Sequence, residues 1–442
     1  MLVIQNERLL GLLKPDYSIG DIYALLERLN QHGTFEFSAL PNGLFPAAML
    51  TDDTAYTGYA NVWVRDNIHV AYAHYVIGET DVAVKTVQTL LRYFTQHRDR
   101  FDAIIQGQAD PNVVMNRPHI RFNGQTLEEN EEKWPQAQND ALGYFLWLYC
   151  LLVRDDLITP AIEEVSTLAL FPFYFQAIEY WRDEDSGHWE ETRKVEASSI
   201  GAVTAGLKVL RQVHLKPAFV NHCCQYRGQL VTLSLLDNLI AKGEQTLNAI
   251  LPAECVQPAP DKNRPYDGAL LFLIYPLEVV KGAIADQILD NVLTHLTRDV
   301  GICRYLGDSF WCADYKQKLS GELRTADFSD NMALRDQLLQ PGEEAQWCIF
   351  DPIVSVIFGQ KYQATQQPID LQQQIHHLNR ALGHVTGVDS EFGGFRCPEL
   401  YHLENNRYTP SDATPLLWTQ ATLRIALEMM MHTLTAMNKN SV

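Results

Sequence analysis

Two glutamates far apart in the sequence, Glu190 and Glu399, have the side chains that cleavage of a glycosidic bond requires. In that reaction one carboxylic acid protonates the leaving oxygen, while a second carboxylate activates water or attacks the anomeric carbon itself. Glu190 stands between Trp189 and Glu191, and both neighbours are expected to disfavour its ionisation, which suits the acid. Glu399 follows the glycine-rich stretch EFGGF and is the candidate base. The pair predicts glycoside hydrolysis if the fold brings both carboxyl groups into one pocket.

A plain ion-pair role for Glu190 stays open from these residues alone. Arg193 and Lys194 follow it closely and could neutralise Glu190 or Glu191 at the protein surface. In that case the carboxyl groups would contribute solubility rather than chemistry.

Six short clusters place an aromatic residue beside a carboxylate, an arginine or an amide, close to the end of an apolar helix. Sugars bind to this mixture, because aromatic faces cover their C–H surfaces while bidentate groups hold adjacent hydroxyls. Any single cluster has a simpler alternative, a helix cap beside a half-buried tryptophan. The clusters lie at residues 63–67 (WVRDN), 134–140 (WPQAQND), 188–194 (HWEETRK), 265–267 (PYD), 301–310 (GICRYLGDSF) and 398–401 (PELY).

The spacing of the clusters suggests a repeated structural unit. The five intervals between Asp66 and Glu399 average about 67 residues, which is roughly the length of two long helices with their loops. If each helical hairpin presents its loop at the same end of the fold, all six clusters meet at one pocket.

The elements that must position these residues are helices. Apolar residues recur at i, i+3, i+4 and i+7 in residues 21–30 and 82–94, which is typical of amphipathic helices. Residues 140–153 are almost wholly apolar, which predicts a helix covered on most sides. Helices that are apolar on nearly all sides alternate with amphipathic helices along the chain. This alternation favours an all-α toroid of two concentric layers, although a bundle or solenoid also contains both types. Further helices are predicted at residues 159–180, 198–213, 230–250, 283–297 and 416–433.

The composition and charge of the chain exclude some classes of ligand and favour others. The 442-residue chain carries a net charge of −19 without a lysine- or arginine-rich run, so nucleic acid and anionic membranes are poor partners and neutral, hydroxyl-rich ligands fit better. The longest apolar run, residues 268–276, is too short to span a membrane. The sequence contains no GxxxxGK[ST], GxGxxG, GxSxG or HExxH motif. With no signal-like N-terminus and with scattered cysteines, of which only Cys223 and Cys224 are adjacent, we expect a cytoplasmic protein without metal or cofactor.

Six stretches in order along the chain resemble glycoside hydrolase family 15, which includes the glucoamylases. They are even more similar to the glucoamylase-like domain of the phosphorylase kinase alpha and beta subunits. The WVRDN motif followed by WEE-RK and ASS-G is specific to the family, while YDGALLFLIYP is specific to the kinase-subunit branch. The stretches are NVWVRDNIHVAYA, WPQAQNDALGYFLWL, HWEETRKVEASSIGAVTAGL, YDGALLFLIYP, GICRYLGDSF, and CPELY with TPLLWTQATL.

This resemblance implies a single-domain (α/α)6 toroid over residues 44–435, preceded by a helical lead-in at 1–43 and followed by a frayed tail at 436–442. It also implies that Glu190 is the general acid and that Glu399 is the general base of an inverting reaction. The remaining candidates are substrate-binding residues: Trp63, Arg65, Asp66, Trp134, Asp140, Trp189, Glu191, Arg304 and Tyr401.

The function expected from the resemblance is exo-acting hydrolysis that releases glucose from an α-linked gluco-oligosaccharide or a glycogen-type glucan. The alternative is a catalytically silent, sugar-binding regulator that associates with a partner enzyme of glycogen metabolism. The presence of both opposed glutamates favours the enzyme, since a binding protein needs the sugar grip alone.

Overall fold

The computed structural model describes residues 2–49, 55–222 and 224–440. Eighteen α-helices dominate these residues and are joined by short 3-10 turns and three small antiparallel sheets. The helices are α1 (Ile19–Gln31), α2 (Val64–Val76), α3 (Thr80–Gln96), α4 (Arg98–Ile105), α5 (Asn139–Arg154), α6 (Ile162–Leu168), α7 (Leu170–Ala177), α8 (Ala197–Val213), α9 (Pro217–Asn221), α10 (Leu233–Ile250), α11 (Leu271–Ile274), α12 (Ala283–His295), α13 (Tyr315–Lys318), α14 (Gly321–Arg324), α15 (Ala333–Asp336), α16 (Phe350–Thr365), α17 (Pro368–Gly383) and α18 (Leu417–Asn440). The strands are β1 (Val62–Trp63), β2 (Arg121–Asn123), β3 (Glu128–Glu129), β4 (Gln225–Tyr226), β5 (Gln229–Leu230), β6 (Gln346–Trp347), β7 (Leu400–Glu404) and β8 (Arg407–Pro410).

Six helices form a closed inner ring in the order α2, α5, α8, α11, α16 and α18, with α18 packing back against α2. Inner helices are covered on all sides, and α5 is accordingly buried at every residue up to Val153. Glycine allows α5 and α8 to approach closely, because a Cβ at Gly143 would lie only 2.5 Å from the backbone of Ala202 and Val203. The ring explains why residues 140–153 are apolar throughout.

A second layer of amphipathic helices surrounds the ring. Helix α3 packs on α2 and α5, α10 on α8, α12 on α11, and α17 on α16 and α18. Helix α1, in the predicted lead-in, packs on α18 and buries the stripe Ile22, Leu25, Leu26 and Leu29. The two layers form one (α/α)6 toroid, so the predicted all-α, single-domain fold is confirmed and the bundle or solenoid alternative is wrong.

Two predicted helices have different boundaries in the structure. The single helix predicted at residues 159–180 is divided into α6 and α7, because Pro172 has no amide hydrogen to continue a helical ladder from α6. The helix predicted from residue 230 begins only at Leu233, where the Thr232 hydroxyl caps it by accepting from the amide of Leu235. At the C-terminus, α18 continues to Asn440 through most of the tail that was predicted to fray.

Two of the small sheets support the loops that carry the chemistry. Strand β1 ends in Trp63 and pairs with β2, while β6 ends in Trp347 and pairs with β7, which begins immediately after Glu399. Ile302 bridges to Trp347 and links a further loop to the second sheet. The sheets therefore hold residues from distant parts of the chain at the same end of the toroid.

The described cysteines are buried, free thiols, and Cys223 lies outside the described residues. Within the part of the chain that the structure describes, each helix is too short or too polar to cross a membrane.

Candidate active site

Loops from around the inner ring meet at one pocket with a volume of ≈ 100 Å³. The convergence predicted from the spacing of the clusters therefore occurs, with contributions from five of the six. Of the eleven residues predicted for the site, eight line this pocket: Trp63, Arg65, Asp66, Trp134, Trp189, Glu190, Arg304 and Glu399.

The carboxylate of Glu190 is held by three nitrogen donors. The indole Nε1 of Trp63 donates to Oε1 at 2.8 Å, the amide Nε2 of Gln138 donates at 3.1 Å, and Nη2 of Arg65 lies 3.5 Å away. The side chain retains 18% of its accessible surface. Glu190 is thus fixed at the pocket wall with its carboxylate still reachable from the pocket.

A tight turn aims Glu190 at the pocket. Its backbone adopts the left-handed conformation with φ 60°, which is uncommon outside glycine and is maintained where surrounding contacts support it. The preceding Gly187 has φ 53°, and a Cβ there would lie 1.5 Å from a carboxylate oxygen of Glu196. The sequence of this turn therefore requires glycine three residues before the candidate acid.

The two residues that flank Glu190 in the sequence have hydrogen-bonding partners of their own. The indole of Trp189 donates to the carboxylate of Asp267 at 2.9 Å, and the charge of Glu191 is neutralised by arginines. The polar groups of both flanking side chains are thus engaged with partners other than Glu190.

Glu399 sits in a more enclosed environment. The Tyr59 hydroxyl donates to Oε1 at 2.8 Å, and the Ser411 hydroxyl lies 3.3 Å from Oε2. Burial raises the pKa of Glu399 to about 7, although both hydroxyl groups and the charge of Arg304 act to lower it. The two glutamates are linked along the pocket wall, because Tyr59 packs against Trp63 with ring centroids 5.5 Å apart.

Arg65 and Asp66 lie on the first turn of α2 and form the buried side of the pocket. Nη1 of Arg65 donates to Asp140 at 2.8 Å and to Gln138 at 3.0 Å. Asp140 thus lies behind Arg65 and orients it, instead of lining the pocket as predicted. Burial raises the pKa of Asp66 to about 7 despite the neighbouring Arg65, and the charge of Glu190 adds to the rise.

Glu191 also lies behind the pocket wall, where its carboxylate joins four donors. It accepts from Arg264 at 2.8 Å, Arg335 at 3.0 Å, Arg304 at 3.4 Å and the Tyr305 hydroxyl at 2.6 Å. Burial would raise the pKa of Glu191, but the surrounding guanidinium groups outweigh it and hold that pKa well below its usual range. Glu191 therefore positions arginines at the pocket instead of contacting a ligand.

Arg193 and Lys194, the basic residues that follow Glu190 in the sequence, do not pair with its carboxylate. Arg193 donates to the carbonyl of Glu184 at 2.6 Å, and Lys194 donates to the carbonyl of Thr192 at 3.0 Å. The surface ion-pair alternative for Glu190 is therefore wrong for these two residues.

Arg304 is held rigidly at the pocket. Its Nε and Nη2 each donate to Asp308 at 2.6 Å, a bidentate pair in which both residues are buried. Its guanidinium lies 4.8 Å from the ring centre of Trp347 and 5.0 Å from that of Trp189. One guanidinium group and two indole rings thus lie together at one wall of the pocket, a combination that suits a sugar ligand.

Tyr401 is the predicted site residue that the structure places elsewhere. Its hydroxyl donates to the carbonyl of His384 at 2.8 Å, and its ring packs with Val300 and Cys348 in a small separate core. Commitment to these contacts explains its absence from the pocket lining.

Sequence reasoning missed several pocket residues. Tyr59 lies four residues before Trp63 and two residues before the family-like stretch that begins at Asn61, so its aromatic side chain was a usable signal. Arg335 comes from a polar stretch without an aromatic neighbour, and nothing local distinguishes it. The other missed residues with aromatic side chains at the pocket are Phe310, Phe328, Trp347 and Trp418.

Outside the pocket, two buried carboxyl groups and a buried thiol lie close together. Ligand atoms of Glu196, Glu254 and Cys255 lie within 4.8 Å of one another. Burial raises the pKa of Glu196 to about 7 and raises that of Glu254, so protonated carboxyl groups can hydrogen-bond here without an ion. The absence of a metal or cofactor stays a prediction.

Residues 25–377 match a model of the family described as "Glycosyl hydrolases family 15". No curated protein sequence matches the chain. Among solved structures, a wild-type glycosidase is similar with a TM-score of 0.66 and 17% identity, covering 93% of this chain and 98% of that one. A glycosidase variant in complex with glucose has a TM-score of 0.64 at 16% identity, covering 93% and 98%.

A glucoamylase from Saccharomycopsis fibuligera is also similar, with a TM-score of 0.58 at 12% identity, covering 95% of this chain and 98% of that one. At such identities the structural likeness shows the shared toroid and nothing finer. The family match, by contrast, extends over most of the sequence, including Glu190 and the residues around it. The chain belongs to the glycosyl hydrolases family 15.

Proposed function

We propose that this protein is an inverting, exo-acting glycoside hydrolase that releases glucose from the non-reducing end of α-linked gluco-oligosaccharides. The observation that carries this proposal is the presence of Glu190 and Glu399, from loops 209 residues apart in sequence, in one pocket. A sugar-binding regulator needs the arginine and aromatic grip but gains nothing from two opposed carboxyl groups.

In the proposed reaction, Glu190 gives its proton to the glycosidic oxygen as the bond to the anomeric carbon breaks. Glu399 accepts a proton from a water molecule whose oxygen attacks the anomeric carbon from the opposite face. The products are glucose of inverted anomeric configuration and a glucan shorter by one residue. The next cycle requires the proton on Glu399 to be lost and Glu190 to be reprotonated.

The burial of the sugar-binding pair supports exo action. Arg65 and Asp66 are buried, and Arg65 is fixed by the ion pair with Asp140, which suits binding of a chain end better than binding of a chain interior. Arg304 stands on the wall with its guanidinium positioned by Asp308, where it can donate to a hydroxyl of the same sugar.

Glucose release from maltose, isomaltose, trehalose, maltoheptaose and glycogen tests the proposal, with the Glu399→Gln protein as the matched control. The expected result is release by the wild type from at least one substrate and at least about 10³-fold slower release by the variant. Equal rates in both proteins would show that Glu399 is not the base. No release from any substrate by a folded wild-type protein would contradict the proposed activity.

A further inference from the structure

The segment that joins α14 to α15 lines part of the candidate active site. We call residues 325–330 the strap. Thr325, Ala326, Asp327 and Phe328 from the strap line the same pocket as Glu190 and Glu399. None of the six clusters found in the sequence includes any residue of the strap.

The strap is anchored at both of its ends. Before it, Arg324 donates to the backbone carbonyls of Lys316 at 3.0 Å and Leu319 at 3.3 Å. After it, Arg335 donates to Glu191 at 3.0 Å. Within the strap, the carbonyl of Ser329 accepts from the Thr192 hydroxyl at 2.9 Å. These contacts fix the strap to the wall that carries Glu190 and Glu191.

A salt bridge ties the strap to a second wall of the pocket. The ammonium group of Lys133 pairs with Asp330 and lies 3.4 Å from the carboxylate of Asp327. Lys133 immediately precedes Trp134, which lines the pocket. We call this three-residue contact the latch, because it closes the gap between the strap and the Trp134 loop.

The latch runs from the pocket lining to the protein surface. The exposed side-chain fraction is 10% for Asp327, which lines the pocket, 48% for Lys133 and 77% for Asp330, compared with 5% for Arg65 and 18% for Glu190. A sugar chain whose end is held by the buried Arg65 must extend toward solvent, and the strap lines one side of the pocket through which it passes. We therefore expect the sugars beyond the cleaved bond to contact the strap and latch.

We propose that the strap and its latch make the enzyme selective for short gluco-oligosaccharides by obstructing the path of longer or branched chains. This inference rests on the proposed function for the identity of the sugar. The substrate class is a disaccharide or trisaccharide rather than a glycogen-type polymer, and Lys133, Asp327 and Asp330 are specificity-determining residues that do not touch the reacting atoms.

Binding measured without turnover tests the selectivity separately from catalysis. In a Glu399→Gln background, titration calorimetry would compare maltose with maltoheptaose, and isomaltose with isomaltohexaose. We expect the disaccharide of the bound series to bind at least as tightly as its longer homologue. Adding Lys133→Ala should tighten binding of the longer sugar by about three- to fivefold, as expected for loss of an exposed ion pair, and leave the disaccharide unchanged.

Two controls separate the latch from a general charge effect. Lys361→Ala breaks an exposed pair with Asp286 between α12 and α16, far from the strap, and should leave both affinities unchanged. Lys133→Arg should retain the preference for the short sugar, because its guanidinium keeps the positive charge that faces both Asp327 and Asp330. In the active protein, 0.5 M NaCl should raise kcat/KM for the longer sugar, and Lys133→Ala should abolish that response.

The outcomes distinguish this inference from the proposed function. Tighter binding of the longer sugar in the background protein, unaltered by Lys133→Ala, would overturn the selectivity while leaving the hydrolase proposal intact. Absence of binding by every sugar, together with absence of glucose release, would contradict the proposed function and this inference with it.

Discussion

The two carboxyl groups of the candidate site occupy contrasting surroundings. Glu190 is partly exposed and receives nitrogen donors from Trp63, Gln138 and Arg65. Glu399 is buried, its near partners are the hydroxyls of Tyr59 and Ser411, and its pKa is raised to about 7. Two residues of the same type therefore lie in electrostatically different environments.

The contrast teaches that environment and family resemblance give different role assignments. A raised pKa suits a group that must hold a proton, so the surroundings alone would make Glu399 the acid. The resemblance instead makes Glu190 the acid and Glu399 the base. Substrate binding reconciles the two assignments if it places a glycosidic oxygen beside Glu190 and a water molecule beside Glu399.

The largest expected effect separates the roles by the leaving group. Fluoride departs from α-glucosyl fluoride with little help from an acid, so Glu190→Gln should hydrolyse this substrate within about tenfold of the wild-type rate. Glu399→Gln should lose at least about 10³-fold on it, because the attacking water still needs a base. Initial rates by fluoride electrode provide the measurement, and the opposite order would exchange the two roles.

The next effect concerns stability. Because the folded pKa of Glu399 is raised above its unfolded value, its buried charge opposes folding above pH 7, and the penalty disappears as pH falls toward about 4. Glu399→Gln should therefore raise the free energy of unfolding by up to about 3 kcal/mol at pH 8 and by much less at pH 5.

Urea denaturation at both pH values measures this difference, with Glu190→Gln as the matched control. That control should show no such gain at pH 8, because Glu190 is bound by N–H donors that prefer a carboxylate acceptor. Equal gains from both variants would remove the contrast between the two sites.

A smaller effect on kcat/KM is expected when one of the hydrogen-bond donors to Glu190 is removed. Trp63→Phe retains an aromatic ring but removes the indole N–H that holds the carboxylate at 2.8 Å. We expect kcat/KM to fall by about tenfold, the size of one hydrogen bond to a charged group. Steady-state kinetics on the best oligosaccharide measures it, and an unchanged kcat/KM would show that this bond does not position Glu190.

The smallest effect is a shift of the pH profile. Since the base must be ionised, kcat/KM should fall as the pH decreases through about 7. Tyr59→Phe removes a hydrogen bond that lowers the pKa of Glu399, so the acid limb should move up by about half a unit to one unit. Asp66→Asn removes a charge that raises it, so the limb should move down; shifts in the same direction would contradict this account.

Much of the fold was readable from the sequence, because inner and outer helices of a toroid need different burial. The apolar residues 140–153 and the stripe from Ile22 to Leu29 occur as an inner and an outer helix, respectively. The break before α7 was missed because the apolar pattern continues through it, although Pro172 marks the change.

The site was predicted where aromatic and polar residues are adjacent in sequence, and missed where they meet only in space. Arg335 and the strap come from a polar stretch whose position over the pocket depends on long-range contacts with Thr192 and Lys133. Tyr401 carries the expected residue type, but its hydroxyl is used by His384. The likeness to phosphorylase kinase subunits and the cytoplasmic location stay predictions.

The most direct measurement is the anomeric configuration of the first glucose released, followed by proton NMR during the first minutes of hydrolysis. We expect the wild type to release β-glucose from the α-linked substrate and Glu399→Gln to lose this activity. Initial release of α-glucose would contradict it, because Glu399 would then act as a nucleophile in a retaining reaction instead of activating water.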